Sequence, residues 1–460
     1  MEKIVVSKDG TGDYKTINKA IKHASENCTI YIKPGIYNEK LIIRKKLTFI
    51  GDKENMPIVQ TALGTLCTII TDSDFSNIHF RNSSKFHFDN KETTVLVYSN
   101  STFHNCTFSD SYNSNVLITG ENRSPIFYDC HFRNPKGHYN TSACHGGSPT
   151  YKGCMMENAE FGATISSGSK STFIDCEIKS CKYGIFTMDN GITEVKNCKI
   201  HQLENTGIIV NHGKSEITDT EISNCAKDSI AACNNSEICI KNCTIFSSYS
   251  GLVGAEESKY TTTGTKIYDC EIGIAHKDYS KGYYNNCTLE GFRNSGVLID
   301  NYADILIENT NINSTYNTCI STFENSKLHL KNCEVTKAVN AAITSENGET
   351  TIENCKIHTT KNLGIFIAQN KLTIKNTEIS NTEKSALSIY DCENPLLENV
   401  TIKDNKEIGL NLLHVTSPFF KNMNIYNNQI GIKNELSDDP NIPDETLKNN
   451  TTPIVSLKSI

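Results

Sequence analysis

Apolar and polar residues alternate along most of this chain, in segments of four to six residues rich in Ile, Val and Thr. Alternation with a period of two is typical of β-strands, whereas an amphipathic helix repeats about every 3.6 residues. The segments share a motif: an apolar residue, any residue, Asn or Asp, Cys, any residue, and an apolar residue. FIDCEI around Cys176 and IENCKI around Cys355 are examples. The pattern predicts a chain built almost entirely of short strands.

Fifteen copies of this motif follow one another at nearly even spacing. The Cys position of the motif falls at 106, 130, 154, 176, 198, 220, 243, 270, 287, 310, 333, 355, 377, 400 and 423. The step from 243 to 270 is longer than the others and the step from 270 to 287 is shorter, which indicates a register slip with an insertion at 256–286. A weaker copy at 76–80 extends the series toward the N-terminus.

Repeats of this length that hold short strands are typical of a parallel β-helix. Leucine-rich repeats have a similar length, but their Leu-rich consensus is missing here. We therefore expect an all-β fold: a single right-handed parallel β-helix of about sixteen coils, each of about 22 to 24 residues. The sequence also predicts a short helix at its N-terminal end.

The residue before the Cys position is Asn in ten copies, Asp in four and Gly in one. These residues tolerate a left-handed backbone better than others do. The motif thus predicts a tight bend with positive φ between the first two strands of each coil. Stacked Asn side chains at this bend can hydrogen-bond to one another as a ladder.

A second column of positions recurs in steps of almost constant length, after a short apolar run. It contains Asp189, His212, Asn234, Glu256, Asp278, Asn301, Glu324, Glu346, Gln369, Asp391 and His414. Carboxylates from adjacent coils can bind Ca²⁺ through oxygen ligands, or serve as an acid and a base. The favoured interpretation is a solvated turn, so we expect no cofactor, with Ca²⁺ as the alternative.

The two ends of such a fold need covers. Asp13 is expected to cap a helix from about residue 14 to residue 25, with Ile17, Ala20, Ile21 and Ala24 on its buried face. The predicted organisation is a cap with the first turns over 1–52, the β-helix over 53–433, and a C-terminal tail over 434–460. PIVSL at 453–457 is expected to dock on an edge strand.

Ten of the nineteen cysteines occupy the motif position, which also accepts Thr, Val and Met. Such a position suits a small inward-facing side chain, and a free Cys behaves there as a small hydrophobe. Cysteines in neighbouring coils would lie within disulfide range, so an unpaired ladder implies a reducing compartment. With no apolar leader at MEKIVVSKDG, we expect a cytoplasmic protein.

Charge and composition exclude some partners. Lys and Arg total 45 and Asp and Glu 52, a net charge of −7, which disfavours nucleic acid and anionic membranes. No apolar run approaches the length needed to span a bilayer. Trp is absent, but 19 Tyr remain for ligand contacts.

The opening residues resemble the pectinesterase family. The similarity is carried by VSKDGTGDYKTINKAI at 6–21, IYIKPGIYNEK at 30–40 and KKLTFIGD at 45–52, and continues more loosely to about residue 135. GIYNE at 35–39 is the most specific element. The resemblance implies the pectin-lyase-like β-helix fold.

The resemblance also implies where two catalytic Asp residues and the oxyanion-stabilising Gln residues would fall. These places are 94–98, 113–115 and 137–141, and they read TVLVY, NSN and GHYNT. Without two carboxylates and an oxyanion stabiliser, ester hydrolysis loses its nucleophile and its electrostatic stabilisation. We therefore expect no pectin methylesterase activity.

Two clusters are candidate ligand sites. The segment 256–286 combines tyrosines with carboxylates, which suits sugar or protein recognition, and a Gly-rich turn at 136–154 holds two histidines. The candidate ligand-binding residues are Glu256, Glu257, Tyr260, His276, Asp278, Tyr279, Tyr283, Tyr284, His138 and His145.

Two functional hypotheses follow. The first is a non-catalytic recognition or scaffold protein that binds a protein or glycan along the β-helix. The alternative is a carbohydrate-active enzyme of the pectin-lyase-like class (a lyase, hydrolase or epimerase) with a site within 136–300. Exposed unpaired side chains are equally compatible with a homo-oligomer. The missing catalytic pair and the presence of only five Arg favour the first hypothesis.

Overall fold

The computed structural model describes residues 2–82, 93–135, 137–313 and 316–457. It divides into two compact units, Met1–Lys227 (unit 1) and Asp228–Ile460 (unit 2). Within each unit, every coil contributes three short strands in the order first, second and third column. Strands of one column pair in parallel with those of the next coil, as Thr102–His104 does with Ile126–Tyr128. The parallel β-helix predicted from the repeat is confirmed.

The described residues of unit 1 form 27 strands in the three columns. The first column comprises Lys3–Val6, Thr29–Ile32, Thr48–Gly51, Asp74–Ser76, Thr102–His104, Ile126–Tyr128, Thr150–Lys152, Lys170–Ile174, Ile192–Lys196 and Lys214–Thr218. The second comprises Ile36–Asn38, Ile58–Thr61, His79–Asn82, Thr107–Ser109, His131–Arg133, Met155–Glu157, Glu177–Lys179, Lys199–Leu203 and Glu221–Cys225. The third comprises Leu41–Ile43, Cys67–Ile69, Thr93–Val97, Ser114–Thr119, Tyr139–Cys144, Phe161–Ile165, Tyr183–Met188 and Ile208–Asn211.

Unit 2 contributes 29 strands over the part of it that the structure describes. The first column comprises Glu237–Lys241, Lys259–Thr263, Lys281–Asn285, Asp304–Glu308, Lys327–Lys331, Glu349–Glu353, Lys371–Lys375, Leu396–Glu398 and Phe419–Lys421. The second comprises Thr244–Phe246, Lys266–Tyr268, Thr288–Glu290, Asn311–Asn313, Glu334–Thr336, Lys356–Thr360, Glu378–Thr382, Thr401–Lys403 and Asn424–Tyr426. The third comprises Asp228–Cys233, Ser250–Gly254, Ile272–His276, Ser295–Ile299, Thr318–Thr322, Ala341–Glu346, Leu363–Ala368, Ser385–Tyr390, Ile408–Leu413, Ile430–Glu435 and Thr452–Leu457.

The described strands make about 20 turns, rather than the sixteen coils expected from the motif. The additional turns lie mainly at the start of the chain, before the motif begins. There the bend after Thr29–Ile32 reads Lys33-Pro34-Gly35 rather than Asn-Cys, although the strands pair in the same way. Counting the motif therefore misses coils whose bends use other turn residues.

The bend predicted between the first and second strands is present in the structure. Its corner residue has φ between 47° and 63° in every motif-bearing coil, as at Asn105, Asn332 and Gly153. The Asn ladder is also present: the Nδ2 of Asn354 donates to Oδ1 of Asn332 at 3.2 Å, and Asn332 donates to Asn309 at 3.1 Å. These bends use the residues that adopt a left-handed backbone at least cost.

The register slip expected at 256–286 is wrong. The motif position of this coil is Thr265 rather than Cys270, because the N–H of Cys243 donates to Oγ1 of Thr265 at 3.3 Å. Gly264 supplies the corner, with φ of 62°. The positions 243, 265 and 287 are evenly spaced, so the segment is ordinary coil without an insertion. Cys270 follows a different corner, at Asp269 (φ 53°).

That corner belongs to a second bend, which lies between the second and third strands of a coil. It also has positive φ, but its residues are of many types: Asp110, Asn158, Ser180, Gln202, Asn224, Ser247, Asp269, Gly291, Lys337, Thr359, Asn381, Asp404 and Asn427. The residue after the corner is buried in all of these coils except at Ala159, and it varies in size from Ala338 to Phe292. The depth of the surface at this bend therefore changes from coil to coil.

None of the nineteen cysteines, all of which lie within the described residues, forms a disulfide, and sixteen of them are buried. In the motif position the thiol lies near the carbonyl oxygen of the residue two positions earlier. For example, Sγ of Cys355 lies 3.2 Å from the carbonyl oxygen of Glu353. Burial raises the pKa of the Cys67 thiol well above its ordinary value. The cysteines thus serve as small interior side chains, as the sequence predicts.

The N-terminal helix spans Ile17–His23, with Ile17 and Ala20 buried. It is shorter than predicted, and its N-cap is Thr16 rather than Asp13, whose Oδ2 instead accepts from the Val5 N–H at 2.8 Å. Glu39, from the GIYNE element, accepts from the N–H groups of Ile17 and Asn18, both at 2.9 Å. The most family-specific residue of the opening segment therefore secures the helix.

At the other end of the chain, a short 3₁₀ helix spans Asp444–Thr446. The strand Thr452–Leu457 pairs in parallel with Ile430–Glu435. The expected docking of 453–457 on an edge strand thus takes the form of one further third-column strand. No helix of the described residues is long and apolar enough to cross a membrane.

Candidate functional site

The three stretches matched to the catalytic elements of pectinesterases lie side by side in unit 1. Thr93–Val97, Ser114–Thr119 and Tyr139–Cys144 are adjacent parallel strands of the third column, with Thr93, Ser114 and Tyr139 in register. The resemblance therefore places its catalytic positions in neighbouring strands, and these three strands contain no Asp or Glu.

Two amides occupy the interior beside these positions. Asn115 and Asn140 are fully buried, and Nδ2 of Asn115 donates to Oδ1 of Asn140 at 3.2 Å and to the carbonyl of Arg133 at 3.0 Å. Nδ2 of Asn140 donates to the carbonyl of Glu157 at 3.0 Å. These amides satisfy backbone groups of the coils, so they serve packing rather than chemistry.

Charged side chains lie just before three successive third-column strands, Tyr139–Cys144, Phe161–Ile165 and Tyr183–Met188. Nδ1 of His138 donates to Oε2 of Glu160 at 2.5 Å, and Nζ of Lys182 lies 3.5 Å from Oε1 of the same carboxylate. The hydrogen bond from His138 holds the pKa of Glu160 below its ordinary value of 4.5. Glu160 is thus an ionised carboxylate shared by the coils on either side.

An aromatic column adjoins this charged row. Tyr139, Phe161 and Tyr183 follow one another in register, with ring centroids 5.4 Å and 4.8 Å apart. Phe186 extends the patch, 5.7 Å from Phe161. All four rings are half-buried, so their outer edges form a continuous apolar strip.

A groove of about 410 Å³ runs along the second bend next to the charged row. Its lining includes Asn134, Ala159, Glu160, Lys182 and Glu204. Asn134 is fully buried and donates through Nδ2 to the carbonyl of Tyr139 at 2.9 Å, whereas its Oδ1 has no partner among the described residues. A buried acceptor without a partner is costly, and a ligand hydroxyl would satisfy it.

We call this set the unit 1 groove. It comprises the cavity, whose lining includes Asn134, Glu160, Lys182 and Glu204, together with His138 and the adjoining aromatic strip of Tyr139, Phe161, Tyr183 and Phe186. Apolar rings beside a few charged and polar groups are the usual composition of a small-molecule site.

The sequence predicted His138 and His145 together, but they lie at opposite ends of the strand Tyr139–Cys144. His138 belongs to the unit 1 groove. His145 is an exposed corner residue with φ of 51°, and its Nδ1 is 3.5 Å from Oγ1 of Thr119. The structure therefore does not bring the two histidines into one site.

Three of the residues predicted in segment 256–286 are inside unit 2. Tyr260, His276 and Tyr284 are each at most 2% exposed. Nε2 of His276 is hydrogen-bonded to the Tyr284 hydroxyl at 2.6 Å, and Nδ1 to Oγ of Ser280 at 2.9 Å. Burial lowers the pKa of His276 to about 3, so the ring is neutral. These side chains form an interior polar cluster that a surface ligand does not reach.

The other five residues predicted there lie on the surface. Glu256 and Glu257 form a turn in which both have positive φ, as do Asp278 and Tyr279 one coil later. Tyr279 stacks on Tyr302 with centroids 4.9 Å apart. The Tyr283 hydroxyl donates to Glu308 at 2.9 Å. This turn column is exposed, in agreement with the interpretation of a solvated turn.

The carboxylates of the turn column do not assemble into a cation site. Among the described residues, no three His, Cys, Asp or Glu side chains are grouped as a metal ion would require. Asp278 accepts from Nδ2 of Asn301 at 2.5 Å and lies 3.6 Å from Nζ of Lys277. Its oxygens are thus already in contact with protein donors.

Comparison with known proteins agrees with this geometry. Residues 206–350 and 341–459 match the family model of the right-handed β-helix region, which together is more than half of the chain. The chain therefore belongs to the right-handed β-helix proteins. Within that class, residues 3–232 match the pectinesterase family model, so the chain carries a pectinesterase-like region over its first half.

Individual relatives match only in part. A probable pectinesterase/pectinesterase inhibitor 19 from Arabidopsis thaliana is 43% identical over 67 residues, which cover 13% of each chain. A putative pectinesterase/pectinesterase inhibitor 22 from the same plant is 30% identical over 43% of this chain and 30% of its own. Pectinesterase/pectinesterase inhibitor U1 from Solanum lycopersicum is 29% identical over 45% and 33%. This chain spans at most a third of the length of these curated relatives.

Two solved structures align with this chain at low sequence identity and a low TM-score. Pectin methylesterase from carrot aligns over 57% of this chain and 83% of its own, with 15% identity and a TM-score of 0.31. A periplasmic alginate epimerase aligns over 78% and 82%, with 12% identity and a TM-score of 0.36.

Most of the unit 1 groove was missed from the sequence. Glu160 and Phe161 lie 22 residues after His138 and Tyr139, and Lys182 and Tyr183 follow one coil later at the same spacing. The sequence feature that indicates this site is a charged residue followed by an aromatic one, repeated at intervals of one coil length, 22 residues. The motif around Cys does not reveal it, because these residues follow the second bend.

Proposed function

We propose that this protein binds a carbohydrate chain in the unit 1 groove and does not hydrolyse it. The observation that carries the proposal is the aromatic column of Tyr139, Phe161 and Tyr183 beside the charged row centred on Glu160. Sugars present apolar C–H groups and hydroxyls together, so a half-buried aromatic strip bordered by polar groups is suited to them.

The polar groups supply the remaining contacts. Glu160 is ionised and accepts hydrogen bonds, and Lys182 donates. Asn134, at the floor of the groove, has a buried Oδ1 with no partner among the described residues. Charged acceptors and donors form the stronger hydrogen bonds with neutral hydroxyls. Since these groups come from neighbouring coils, the ligand is expected to extend across several coils.

The proposed absence of catalysis is supported by the side chains at the pectinesterase positions. The resemblance puts Ser114 where the acid Asp of a pectinesterase belongs, and the stretch matched to its other catalytic Asp, 137–141, contains no carboxylate. The nearby amides of Asn115 and Asn140 are already engaged with neighbouring groups. Nucleophilic attack on an ester needs an ionised carboxylate within reach of the carbonyl, and a donor for the oxyanion. These strands do not supply such a carboxylate.

The test is a binding screen against immobilised plant and bacterial polysaccharides with the wild type, Phe161→Ala and Tyr183→Ala. The matched control is Phe246→Ala, which removes a half-buried ring stacked on Tyr268, 5.0 Å away, on the second column of unit 2. We expect the two groove variants to lose binding about tenfold or more. Equal binding by all four proteins would overturn the assignment of the groove.

Methanol release and depolymerisation are measured on the same substrates. The proposal predicts neither. Product formation that disappears in Glu160→Gln would instead support the carbohydrate-active enzyme with a site within 136–300. His138 and Glu160 would then be the candidates for its acid and base, because they are within hydrogen-bond distance of each other at 2.5 Å.

A further inference from the structure

Unit 2 contains a second groove, at the same bend of the coil. It has a volume of about 510 Å³ and is lined by residues of four successive coils. Its lining comprises Lys337, Ala338, Val339, Thr359, Thr360, Lys361, Asn381, Thr382, Glu383, Asp404 and Lys406. We call it the unit 2 groove.

The groove exists because small side chains follow the corner in these coils. Ala338 and Thr360 occupy the inward position that Phe292 fills two coils before Ala338, and that Leu203 fills in unit 1. A smaller side chain at an otherwise regular bend leaves volume that the backbone does not collapse to fill. The groove is therefore a property of these particular residues rather than of the fold.

A buried hydroxyl at this groove has no protein partner. In the following coils the inward residues are fully bonded: Oγ1 of Thr382 donates to Oδ1 of Asn405 at 2.9 Å, and Nδ2 of Asn405 donates to Oδ1 of Asn428 at 2.8 Å. This ladder stops at Thr360, which is 1% exposed and whose Oγ1 has no partner among the described residues. A ligand in the groove would offer one.

Two ammonium groups line the groove without an ion pair. Nζ of Lys406 lies 3.0 Å from Oε1 of Glu383, whereas Lys337 and Lys361 pair with no carboxylate of the described residues. Many other lysines of unit 2 are paired with Glu of a neighbouring coil, such as Lys371 with Glu349 at 2.9 Å. The lining thus holds three lysines and two carboxylates, Glu383 and Asp404, and this excess of positive charge favours an anion.

We propose that the unit 2 groove is a second binding site, specific for a carboxylate-bearing oligosaccharide. Lys337 and Lys361 hold the carboxylate, Thr360 meets a hydroxyl, and Ala338 and Val339 contact the apolar face of a sugar ring. This site lies outside the pectinesterase-like region, shares no residue with the unit 1 groove, and does not depend on the function proposed for that groove.

The experiment is isothermal titration calorimetry with a hyaluronan tetrasaccharide, which carries carboxylates. Chitotetraose is the neutral comparison, and a tetraglutamate peptide is the non-sugar comparison. The variants are the Lys337→Gln, Lys361→Gln double substitution and Ala338→Leu, which fills the groove with the residue that unit 1 has at Leu203. Lys371→Gln is the matched control, since Lys371 is paired on another column.

We expect the hyaluronan tetrasaccharide to bind the wild type and Lys371→Gln equally. The lysine double variant should bind about tenfold more weakly or worse, and Ala338→Leu should not bind it. The lysine substitutions are on the surface, so they keep the test valid even if Ala338→Leu unfolds. Phe161→Ala in the unit 1 groove should bind as the wild type does, which separates this site from the first.

Other results would overturn the proposal. No binding by the wild type would remove the site, and equal binding of chitotetraose would remove the role of the lysines. Equal binding of tetraglutamate would show an acidic-peptide site instead of a sugar site. Unchanged affinity in the lysine double variant and in a folded Ala338→Leu variant would place the bound sugar elsewhere.

Discussion

His138 and Glu160, which are 22 residues apart in the chain, are joined by a hydrogen bond of 2.5 Å between neighbouring coils of unit 1. Lys182 approaches the other oxygen of the same carboxylate at 3.5 Å. One glutamate therefore connects three coils on the face that carries the aromatic column. This arrangement has a direct consequence for the dependence of stability on pH.

Glu160→Gln should destabilise the protein at pH 7 but not in acid. A carboxyl whose folded-state pKa lies below its ordinary 4.5 adds stability above that value, and loses it as pH falls through the folded-state pKa. Because the side chain of Glu160 is one-third exposed, we expect an effect below about 1 kcal/mol. Urea unfolding of both proteins from neutral to acid pH measures it. Glu204→Gln, which changes another carboxylate of the same groove that has no ion pair with a described residue, is the matched control.

The buried His276 predicts a second pH effect, in unit 2. Its pKa of about 3 in the folded protein lies below the ordinary 6.5, so between these values the unfolded chain binds the additional proton. Stability should therefore fall as pH drops below 6.5, by up to about 1.4 kcal/mol per pH unit from this residue.

Substitution of His276 by Gln should remove that part of the pH dependence, since an amide can still bond to Ser280 and Tyr284 without titrating. The matched control is His212→Gln, at an exposed histidine. If His276→Gln and the wild type have parallel stability curves between pH 6.5 and 3, the histidine is not the titrating group.

The Asn ladder predicts different effects of Ala and Gly at one corner. Asn354 has φ of 54°, donates to Asn332 and accepts from Asn376. Asn354→Ala should lose about 2 kcal/mol of unfolding free energy, from the left-handed backbone and the lost hydrogen bonds. Asn354→Gly should lose less, because Gly keeps the backbone conformation, as Gly264 does in another coil. Equal losses in urea unfolding would show that the backbone term is absent.

Thiol reactivity should divide the cysteines into two groups. Cys144, Cys233 and Cys239 are partly exposed, and the other sixteen are buried. In the native protein, Ellman's reagent should modify at most these three quickly, while all nineteen react in denaturant. A variant with Ser at the three positions should lose the fast phase. Rapid modification of further thiols would mean that the coils open locally.

The fold was predictable because one bend has a strict chemical requirement. Asn, Asp and Gly recur at the first corner, where positive φ restricts the choice, and the strands between corners alternate with a period of two. The second corner escaped notice because it is filled by residues as different as Ser180, Gln202 and Lys337. Taking Asp269 and Cys270 for the first corner produced the apparent insertion in a regular coil.

The alternation of inward and outward positions along each strand explains why two of the predicted site residues are buried. Tyr260 and Tyr284 occupy inward positions of the alternating strands Lys259–Thr263 and Lys281–Asn285, so their burial was readable from the pattern once the register was correct. The unit 1 groove depends on contacts between residues one coil apart on the third column. Neither the composition nor a local motif predicts these contacts. They can be predicted only from the coil length, which gives the spacing of residues that meet.

Because both corners need a positive φ, the lengths of the insertions and deletions that this architecture tolerates are restricted. Loss or gain of one residue within a coil moves side chains that suit right-handed backbone into left-handed corners, and turns the following strands inside out. Loss or gain of a whole coil keeps every corner and every inward position in place. Proteins of this design are therefore expected to differ from their relatives by entire coils, and engineers can lengthen or shorten them in that unit alone.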